Sequence, residues 1–253
     1  MRALWGIWLS WMGVGCVKSP APSSGAPPPT NPEPPDRPVP RQVEHEWMSL
    51  SEWRARHRAQ LADPERSHAR LVFLGDSITQ GWAASAAYRA HFGRYRPLNL
   101  GVGGDQTQHV LWRLEDGALA GVHAELVVIL IGVNNLSNGH SPAETVRGIQ
   151  AVVREVERAL PSTQLLLLSI LPAGETADAP LRRRIVETNR ALRVLGSERL
   201  RVLDVGGVFL DADERIPVEL MGDFLHPSAA GYERLSEAVA PELARRLDAV
   251  PAP

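Results

Sequence analysis

One serine in the sequence occupies a position suited to a nucleophile, and a histidine with a nearby aspartate could activate it. Ser77 follows an apolar run, in Gly-Asp-Ser-Ile-Thr-Gln, at a predicted strand-to-helix turn where backbone N–H groups favour negative charge. His226 could accept the Ser77 proton, and Asp223 could fix the tautomer of the imidazole. Taken alone, Ser77 or Asp76 is better explained as a helix cap. Other parts of the chain must therefore support the catalytic interpretation.

Two further loops carry groups that could stabilise an oxyanion. The stretch Gly101-Val-Gly-Gly104 has three glycines in four residues, so its N–H groups can point outward with no Cβ in the way. Asn134 follows the third predicted strand, where its amide could donate a hydrogen bond toward the same space. Each is by itself an ordinary turn residue. The interpretation depends on all these elements occurring together, in chain order.

The elements that must position these residues alternate between strands and helices. Apolar runs predict five strands, at 71–74, 97–100, 126–131, 165–170 and 202–203. Helical patterns lie at 106–116, 142–160, 180–196 and after Pro227, and an amphipathic helix over 43–62 is expected to place Trp47, Leu50, Trp53 and Leu61 on one face. This alternation predicts an α/β fold with a parallel sheet covered on both faces. Ligands bind such sheets at the carboxyl ends of the strands.

The ordered set of motifs resembles the sequence blocks of the SGNH (GDSL-type) hydrolase family over nearly all of residues 70–245. The stretches that carry the resemblance are 71–82, 99–114, 131–135, 171–174 and 223–227. Within that family the chain is most similar to the catalytic-subunit type of intracellular platelet-activating factor acetylhydrolase and its bacterial relatives. The resemblance implies a three-layer α/β/α sandwich of the flavodoxin-like type, with a five-stranded parallel sheet.

The resemblance also implies a role for each matching residue. Ser77 matches the nucleophile, His226 the general base and Asp223 the acid that orients the base. The oxyanion hole would then consist of the backbone N–H groups of Ser77 and Gly104 and the side-chain amide of Asn134. These assignments predict a two-step transfer of an acyl group through a covalent acyl-enzyme.

The expected activity is that of a serine esterase acting on short-chain, principally acetyl, esters without a metal or other cofactor. Asp76 matches a family aspartate to which we assign a structural role, and Asn135 stands where many members carry aspartate. Nothing in the sequence identifies the alcohol part of the ester, so an acetylated sugar and a lipid remain alternative substrates. A polysaccharide acetylesterase, a lysophospholipase and a non-catalytic envelope lipoprotein of the same fold remain alternative functions.

The N-terminal fifth of the chain differs from the rest. Residues 1–15 carry one positive charge and an apolar run typical of a secretory signal, and small residues before Cys16 resemble a lipidation site. Ten prolines within residues 20–40 predict a disordered, extended linker over 17–42, followed by one hydrolase domain over 43–250. We therefore expect export to the cell envelope, on the periplasmic side or the outer membrane, with a membrane tether through Cys16, or secretion if Cys16 is not lipidated. A mature chain that retained residues 1–15 would contradict this expectation.

Composition limits the other classes of function. A formal net charge of −2 gives no reason to expect a nucleic acid as partner. With a single cysteine, an intramolecular disulfide and a cysteine-ligated metal site are both excluded, and the remaining seven histidines show no metal-binding spacing. The basic run Arg182-Arg183-Arg184 is expected to form a solvated face of a surface helix. The oligomeric state cannot be predicted from these features.

Overall fold

A five-stranded sheet forms the centre of the molecule in the computed structural model, which describes residues 33–248. The strands are β1 (Leu71–Gly75), β2 (Pro97–Gly101), β3 (Leu126–Leu130), β4 (Gln164–Leu168) and β5 (Leu200–Leu203). They are all parallel and lie in the order β2-β1-β3-β4-β5. This order is that of flavodoxin-like sheets, and with helices on both faces it confirms the predicted three-layer α/β/α fold.

The apolar runs become strands because both faces of the sheet are covered. Every residue of β1 and β3 is buried, which explains why these sequences are continuously apolar rather than alternating. The register pairs Gly75 with both Gly101 and Leu130, so the first three strands end at the same level. The loops that follow them therefore emerge side by side. Those loops contain Ser77, Gly104 and Asn134.

Eight α-helices lie within residues 33–248: α1 (Leu50–Leu61), α2 (Ser77–Ala84), α3 (Ala86–Phe92), α4 (Thr107–Glu115), α5 (Val133–Ser137), α6 (Pro142–Ala159), α7 (Pro180–Leu192) and α8 (Ala229–Leu247). Helices α4, α6 and α7 match the predicted helices within a few residues, α8 follows Pro227 as predicted and α2 is the helix expected at Ser77, whereas α3 and α5 were not predicted. A capping box between Ser141 and Glu144 and a proline at the first position begin α6. No helix of the described chain is long and apolar enough to cross a membrane.

The first residues of the described chain pack against the domain, which corrects the prediction of a disordered linker up to residue 42. The Pro35 carbonyl accepts a hydrogen bond from Thr107 Oγ1 (2.7 Å), and the Val39 N–H donates to the Gln108 carbonyl (3.1 Å). Arg41 is only 2% exposed. Proline cannot donate from its backbone but its carbonyl still accepts, so an extended proline-rich segment can bind a helix N-terminus. Residues 1–32, including Cys16, lie outside the described residues.

The predicted helix over 43–62 is shorter than expected. It begins at Leu50, where Ser49 and Glu52 form a capping box with the first turn. Trp53 is fully buried, whereas Trp47 precedes the helix and is 59% exposed, so the two do not share a face. Backbone hydrogen bonds between His45 and Met48 instead fold residues 45–48 into a tight turn. The turn residues and the cap, rather than the apolar spacing, fix where the helix starts.

The basic run on α7 is not a solvated face, and this prediction was wrong. Arg182 is 4% exposed and donates to the carbonyls of Ala173, Gly174 and Glu214. Arg184 donates to the carbonyls of Leu136 and His140. The prediction required all three side chains to be exposed, but only Arg183 is. The other two guanidinium groups bind backbone carbonyls of the protein rather than solvent.

Candidate active site

The loops after β1 and before α8 bring Ser77, His226 and Asp223 into one hydrogen-bonded chain. Ser77 Oγ lies 2.9 Å from His226 Nε2, and His226 Nδ1 lies 2.7 Å from Asp223 Oδ2. The side chains of His226 and Asp223 are 42% and 54% exposed, so the site is open to solvent. Of the residues predicted from sequence, these three therefore meet in the arrangement of a nucleophile, a base and an orienting carboxylate.

The Asp223–His226 turn is built by local hydrogen bonds. Asp223 Oδ1 accepts from the backbone N–H groups of Leu225 (3.0 Å) and His226 (2.7 Å), and its other oxygen is left for the imidazole. Phe224 adopts a left-handed conformation with φ of 57°, which is uncommon for a residue with a Cβ. Its carbonyl accepts from the Gly174 N–H (2.8 Å) in the loop after β4. A backbone strained in this way persists only where its surroundings hold it, as they do here.

The hydrogen bonds determine which nitrogen of His226 carries the proton. Burial by itself would raise the pKa of Asp223, but hydrogen bonds from the His226 side chain and backbone outweigh it and lower the pKa. Asp223 is therefore ionised at neutral pH and can only accept, so Nδ1 of the neutral imidazole must be the protonated nitrogen. Nε2 is then unprotonated and faces the Ser77 hydroxyl. This is the tautomer that a general base requires.

Ser77 is the first residue of α2, directly after the end of β1. Asp76 caps this helix, because its Oδ1 accepts from the Ile78 N–H (3.0 Å). Burial raises the pKa of Asp76 to about 7, and the negative charge of Asp105 acts in the same direction, although the Ile78 hydrogen bond lowers it. Asp76 therefore adds only part of a negative charge beside Ser77 at neutral pH. Its contacts agree with a structural role.

Gly104 lies in a turn that suits no other residue type. Its φ is 71°, and a Cβ built on it would lie 2.5 Å from the Trp47 ring and 3.0 Å from the Arg41 guanidinium. Glycine satisfies both the left-handed backbone and this close approach. The Gly104 N–H donates to no group in residues 33–248. It thus remains available for a substrate oxygen.

Asn134 stands on the first turn of α5, across the same opening. Its Nδ2 donates to the Asp105 carbonyl (2.9 Å) and lies 3.4 Å from Asp76 Oδ2. The first contact fixes the orientation of the amide, while the second is long and weak. The N–H that makes only this weak contact is therefore the one left for a substrate oxygen, while the other holds the side chain. Ser77, Gly104 and Asn134 all border this opening at the carboxyl edge of the sheet.

Asp105 supports this edge, a role that sequence reasoning missed. Its carboxylate is completely buried and accepts from Trp53 Nε1 (2.7 Å), Arg113 Nε (2.8 Å) and Arg41 Nη2 (3.3 Å). Arg41 also donates to the Gly103 carbonyl. Two guanidinium groups therefore face one carboxylate inside the protein. Burial lowers the pKa of Arg41, and the nearby charge of Asp105 partly restores it.

Asn135, which stands where the related family commonly has aspartate, is buried and faces away from the opening. Its Oδ1 accepts from the Thr107 N–H (2.9 Å), and its Nδ2 donates to Thr107 Oγ1 (3.0 Å) and Gln108 Oε1 (3.1 Å). It therefore fixes the N-terminus of α4 with both ends of its amide. Within residues 33–248, no group of three or more histidine, cysteine or acidic side chains is placed to hold a metal ion.

Comparison with known proteins places these features in a family context. The sequence profile of the GDSL-like Lipase/Acylhydrolase family matches residues 73–234. The human platelet-activating factor acetylhydrolase IB subunit alpha1 is 35% identical over 208 residues, which cover 81% of this chain and 86% of that protein. A Streptococcus pneumonia structure described as a platelet activating factor is 25% identical, with a TM-score of 0.64, and the match covers 77% of this chain and 94% of the other.

A third comparison shows similarity of fold alone. The acetylxylan esterase Axe2 from Geobacillus stearothermophilus matches with a TM-score of 0.56 over 68% of this chain and 93% of its own, at 20% sequence identity. The family profile begins within β1 and ends within α8. It therefore includes all five predicted site residues but not the segment before residue 73.

Proposed function

The chain belongs to the GDSL-like lipase/acylhydrolase family and hydrolyses esters, and we propose that it does so with Ser77 as nucleophile on short-chain, principally acetyl, esters. The observation that carries this proposal is the 2.9 Å contact between Ser77 Oγ and His226 Nε2, with Asp223 on the opposite nitrogen. With His226 as base and Asp223 as its partner, activation of the serine requires no cofactor.

The first half-reaction forms an acyl-enzyme. His226 Nε2 takes the Ser77 proton as Oγ attacks the ester carbonyl carbon, and the carbonyl oxygen becomes an oxyanion. The N–H groups of Ser77 and Gly104 and the Asn134 amide stabilise this charge. When the tetrahedral intermediate collapses, the bond to the alcohol oxygen breaks, and the protonated imidazole gives its proton to the leaving alcohol. The acyl group remains on Ser77.

The second half-reaction returns the free enzyme. A water molecule gives a proton to His226 Nε2 and attacks the acyl carbon, so that the oxyanion forms again among the same donors. Collapse then breaks the bond to Oγ, which regains the proton, and the carboxylic acid leaves. Asp223 stabilises the imidazolium in both halves without itself becoming protonated. Its lowered pKa agrees with this role.

Two observations support a short acyl group. The His226 and Asp223 side chains are about half exposed, so the reacting serine stands at an open edge rather than at the end of an enclosed tunnel. The human relative that is 35% identical is a subunit of an acetylhydrolase, and the match spans most of both chains. We therefore assign the acetyl group as the preferred acyl part.

The preference for short acyl groups is tested by varying only the chain length of the ester. We expect kcat/KM to fall steeply from p-nitrophenyl acetate through the butyrate to the octanoate, because the open site buries little of a long chain. EDTA is present throughout, so that activity in its presence demonstrates independence from added metal. An octanoate turned over faster than the acetate would contradict the acetyl assignment while leaving the serine mechanism intact.

Removing the Asn134 amide tests the oxyanion hole. We expect Asn134→Ala to lower kcat for p-nitrophenyl acetate by about 10²–10³-fold with a much smaller change in KM, because the amide acts on charge that develops only in the transition state. Ser137→Ala on the same helix is a suitable comparison, since Ser137 is exposed and is not one of the proposed oxyanion donors. Full turnover in a natively folded Asn134→Ala protein would show that the oxyanion role is misassigned.

A polysaccharide acetylesterase, a lysophospholipase and a non-catalytic envelope lipoprotein are the competing functions. The intact hydrogen-bonded set of Ser77, His226 and Asp223 favours catalysis over a purely structural role. The lysophospholipase alternative requires a long acyl chain, which the chain-length series examines directly. The choice between a sugar and another alcohol depends on the surface beside Gly104.

A further inference from the structure

A cleft lies beside the proposed oxyanion hole, between the segment 33–48, called here the N-terminal segment, and the elements that hold the active site. Its volume is about 360 Å³, within the range of small-ligand sites. Gln106 lines it directly after Asp105, and Asn138 lines it one turn after Asn134. The Asn134 amide donates to the Asp105 carbonyl and so joins the loop that contains Gln106 to the helix that precedes Asn138. The cleft therefore borders the loop and the helix that carry the proposed oxyanion donors. Other lining residues are Glu33, Arg41, His45 and His140.

The lining offers amide and imidazole groups that can form hydrogen bonds, together with the Glu33 carboxylate, and its guanidinium group is already paired. Arg41 is committed to Asp105 and to the Gly103 carbonyl, so it is not available to bind a phosphate. The amides of Gln106 and Asn138 can both donate and accept. His140 is 1% exposed and binds the Glu33 carbonyl through Nε2, whereas its buried Nδ1 has no hydrogen-bond partner among residues 33–248. These groups match the hydroxyls of a neutral, polar ligand.

An aromatic surface adjoins this cleft. The ring of His45, a lining residue, stacks on the ring of Trp47 with a centroid separation of 4.8 Å and an interplanar angle of 15°. The edge of Trp47 contacts Gly103 and Gly104, yet the residue remains 59% exposed. Burial and the charge of Arg41 lower the pKa of His45, so the stacked pair is uncharged at neutral pH. A flat apolar plane thus stands next to a donor of the oxyanion hole.

We propose that Trp47 and the adjoining cleft form a subsite for the alcohol part of the ester, and that this alcohol is a saccharide. The apolar face of a pyranose ring would pack on Trp47, while its hydroxyls bind the amides of Gln106 and Asn138. A ring placed there lies beside Gly104, where the ester carbonyl must sit to react. This assignment rests on the proposed esterase function, and it selects the acetylated sugar over the lipid as substrate.

The N-terminal segment supplies Trp47 and His45, and it lies before residue 73, where the family profile begins. The catalytic groups, Gln106 and Asn138 thus lie within the family profile, whereas the aromatic part of this alcohol subsite comes from residues outside it. Buried Arg41 connects the two parts, because it lies near the Trp47 ring (5.9 Å from guanidinium carbon to ring centroid) and binds the Gly103 carbonyl. The subsite is therefore held in place by the same residues that hold the oxyanion loop.

The test compares two acetyl esters that differ in the alcohol. Acetate release from methyl 6-O-acetyl-glucopyranoside, whose other hydroxyls are free, and from ethyl acetate, whose alcohol is too small to reach Trp47, is followed by pH-stat titration for the wild type, Trp47→Ala, Trp47→Phe and His45→Ala. We expect the ratio of the two kcat/KM values, sugar over ethyl ester, to fall about tenfold in Trp47→Ala, mainly through KM, because an aromatic contact is lost. Trp47→Phe is expected to restore most of the ratio, and Val194→Ala, in the exposed turn after α7, serves as the control for the effect of substitution in general.

Three results would overturn the subsite. An equal loss on both esters would mean that Trp47 only supports Gly103 and Gly104. An unchanged ratio would mean that the sugar does not reach Trp47. A loss confined to a 2-acetyl glycerophospholipid, assayed in parallel, would assign the surface to a lipid alcohol instead.

A binding measurement separates failure of the subsite from failure of the esterase function. Calorimetric titration of methyl 6-O-acetyl-glucopyranoside into the Ser77→Ala protein, with and without Trp47→Ala, reports binding without turnover. We expect binding that weakens about tenfold when Trp47 is removed. If no ester shows Ser77-dependent hydrolysis, the proposed function fails, and the titration still decides the subsite. Binding that is absent, or independent of Trp47, overturns the subsite even if hydrolysis of ethyl acetate is normal.

Discussion

Ser77→Ala is expected to lower kcat for acetyl esters by about 10⁶-fold, the loss typical of a serine hydrolase that is deprived of its nucleophile. The structural reason is that Ser77 Oγ is the hydroxyl 2.9 Å from an imidazole nitrogen that must be unprotonated. Removing one oxygen atom leaves the helix cap at Asp76 and the surrounding fold unaffected. The residual rate should come from the oxyanion hole and substrate binding alone.

The effects of removing the nucleophile Ser77 and of removing the base His226 should be strongly non-additive. His226→Ala is expected to reduce kcat to a similar extent, and the double variant should be no slower than either single one, because the two side chains act as one unit. Asp223→Asn should lose less, by about 10⁴-fold, because it leaves the base in place but disturbs its tautomer. Initial rates with p-nitrophenyl acetate, together with labelling by a fluorophosphonate that reacts only with an activated serine, measure both effects.

The comparison for this series is Ser162→Ala, the same substitution at an exposed turn before β4. It should retain wild-type rate and wild-type labelling. A Ser77→Ala protein that kept more than about 1% of kcat with native thermal stability would lie far outside the loss expected for a nucleophile. In that case the Ser77–His226 contact would have to be regarded as a structural hydrogen bond.

The catalytic contacts could be predicted from sequence because each depends on a short stretch of chain. Asp223 and His226 meet through one turn, and Ser77 lies at the end of a strand that burial makes continuously apolar. Parallel strands that end at one level then bring Ser77 and Asn134 to the same edge. These contacts follow from local chemistry and the sheet topology, whereas the role of each residue was predicted from the resemblance of the ordered motifs to the family.

The supporting contacts could not be predicted because they join residues far apart in the chain. Arg41 reaches Asp105 across 64 positions, from a segment whose prolines indicate disorder. Composition describes the average tendency of such a segment and cannot show that one arginine finds a buried carboxylate. Arg182 was misjudged for the same reason, since its carbonyl partners come from the loop after β4 and from Glu214. Predictions from periodicity fail where a long side chain crosses the boundary between elements.

Asp105→Ala is expected to lower the free energy of unfolding by about 3–5 kcal/mol, the largest stability effect that we predict for a single substitution. The carboxylate is fully buried and is the shared acceptor of Arg41, Arg113 and Trp53. Its removal leaves two guanidinium groups without their countercharge inside the protein. It also leaves an indole N–H unpaired, which adds to the desolvation cost.

The same substitution should impair catalysis in the molecules that remain folded. The Asp105 carbonyl holds the Asn134 amide, and Arg41 holds the Gly103 carbonyl, so a displaced loop misaligns two of the three proposed oxyanion donors. We therefore expect kcat to fall by at least about tenfold, because small misplacements of a catalytic group are costly. Asp105→Asn, which keeps an oxygen acceptor but no charge, should lie between the wild type and Asp105→Ala in both measurements.

Urea-induced unfolding followed by tryptophan fluorescence and circular dichroism gives the stability difference, and the acetate assay gives the rate per folded molecule. Asp213→Ala is the matched comparison, because it removes the same carboxylate from an exposed turn and should change stability by no more than about 0.5 kcal/mol. If Asp105→Ala and Asp213→Ala unfolded at the same urea concentration, the Asp105 carboxylate would not be needed to stabilise the buried guanidinium groups of Arg41 and Arg113. The N-terminal segment would then be attached by its backbone contacts at Pro35 and Val39 rather than through Arg41.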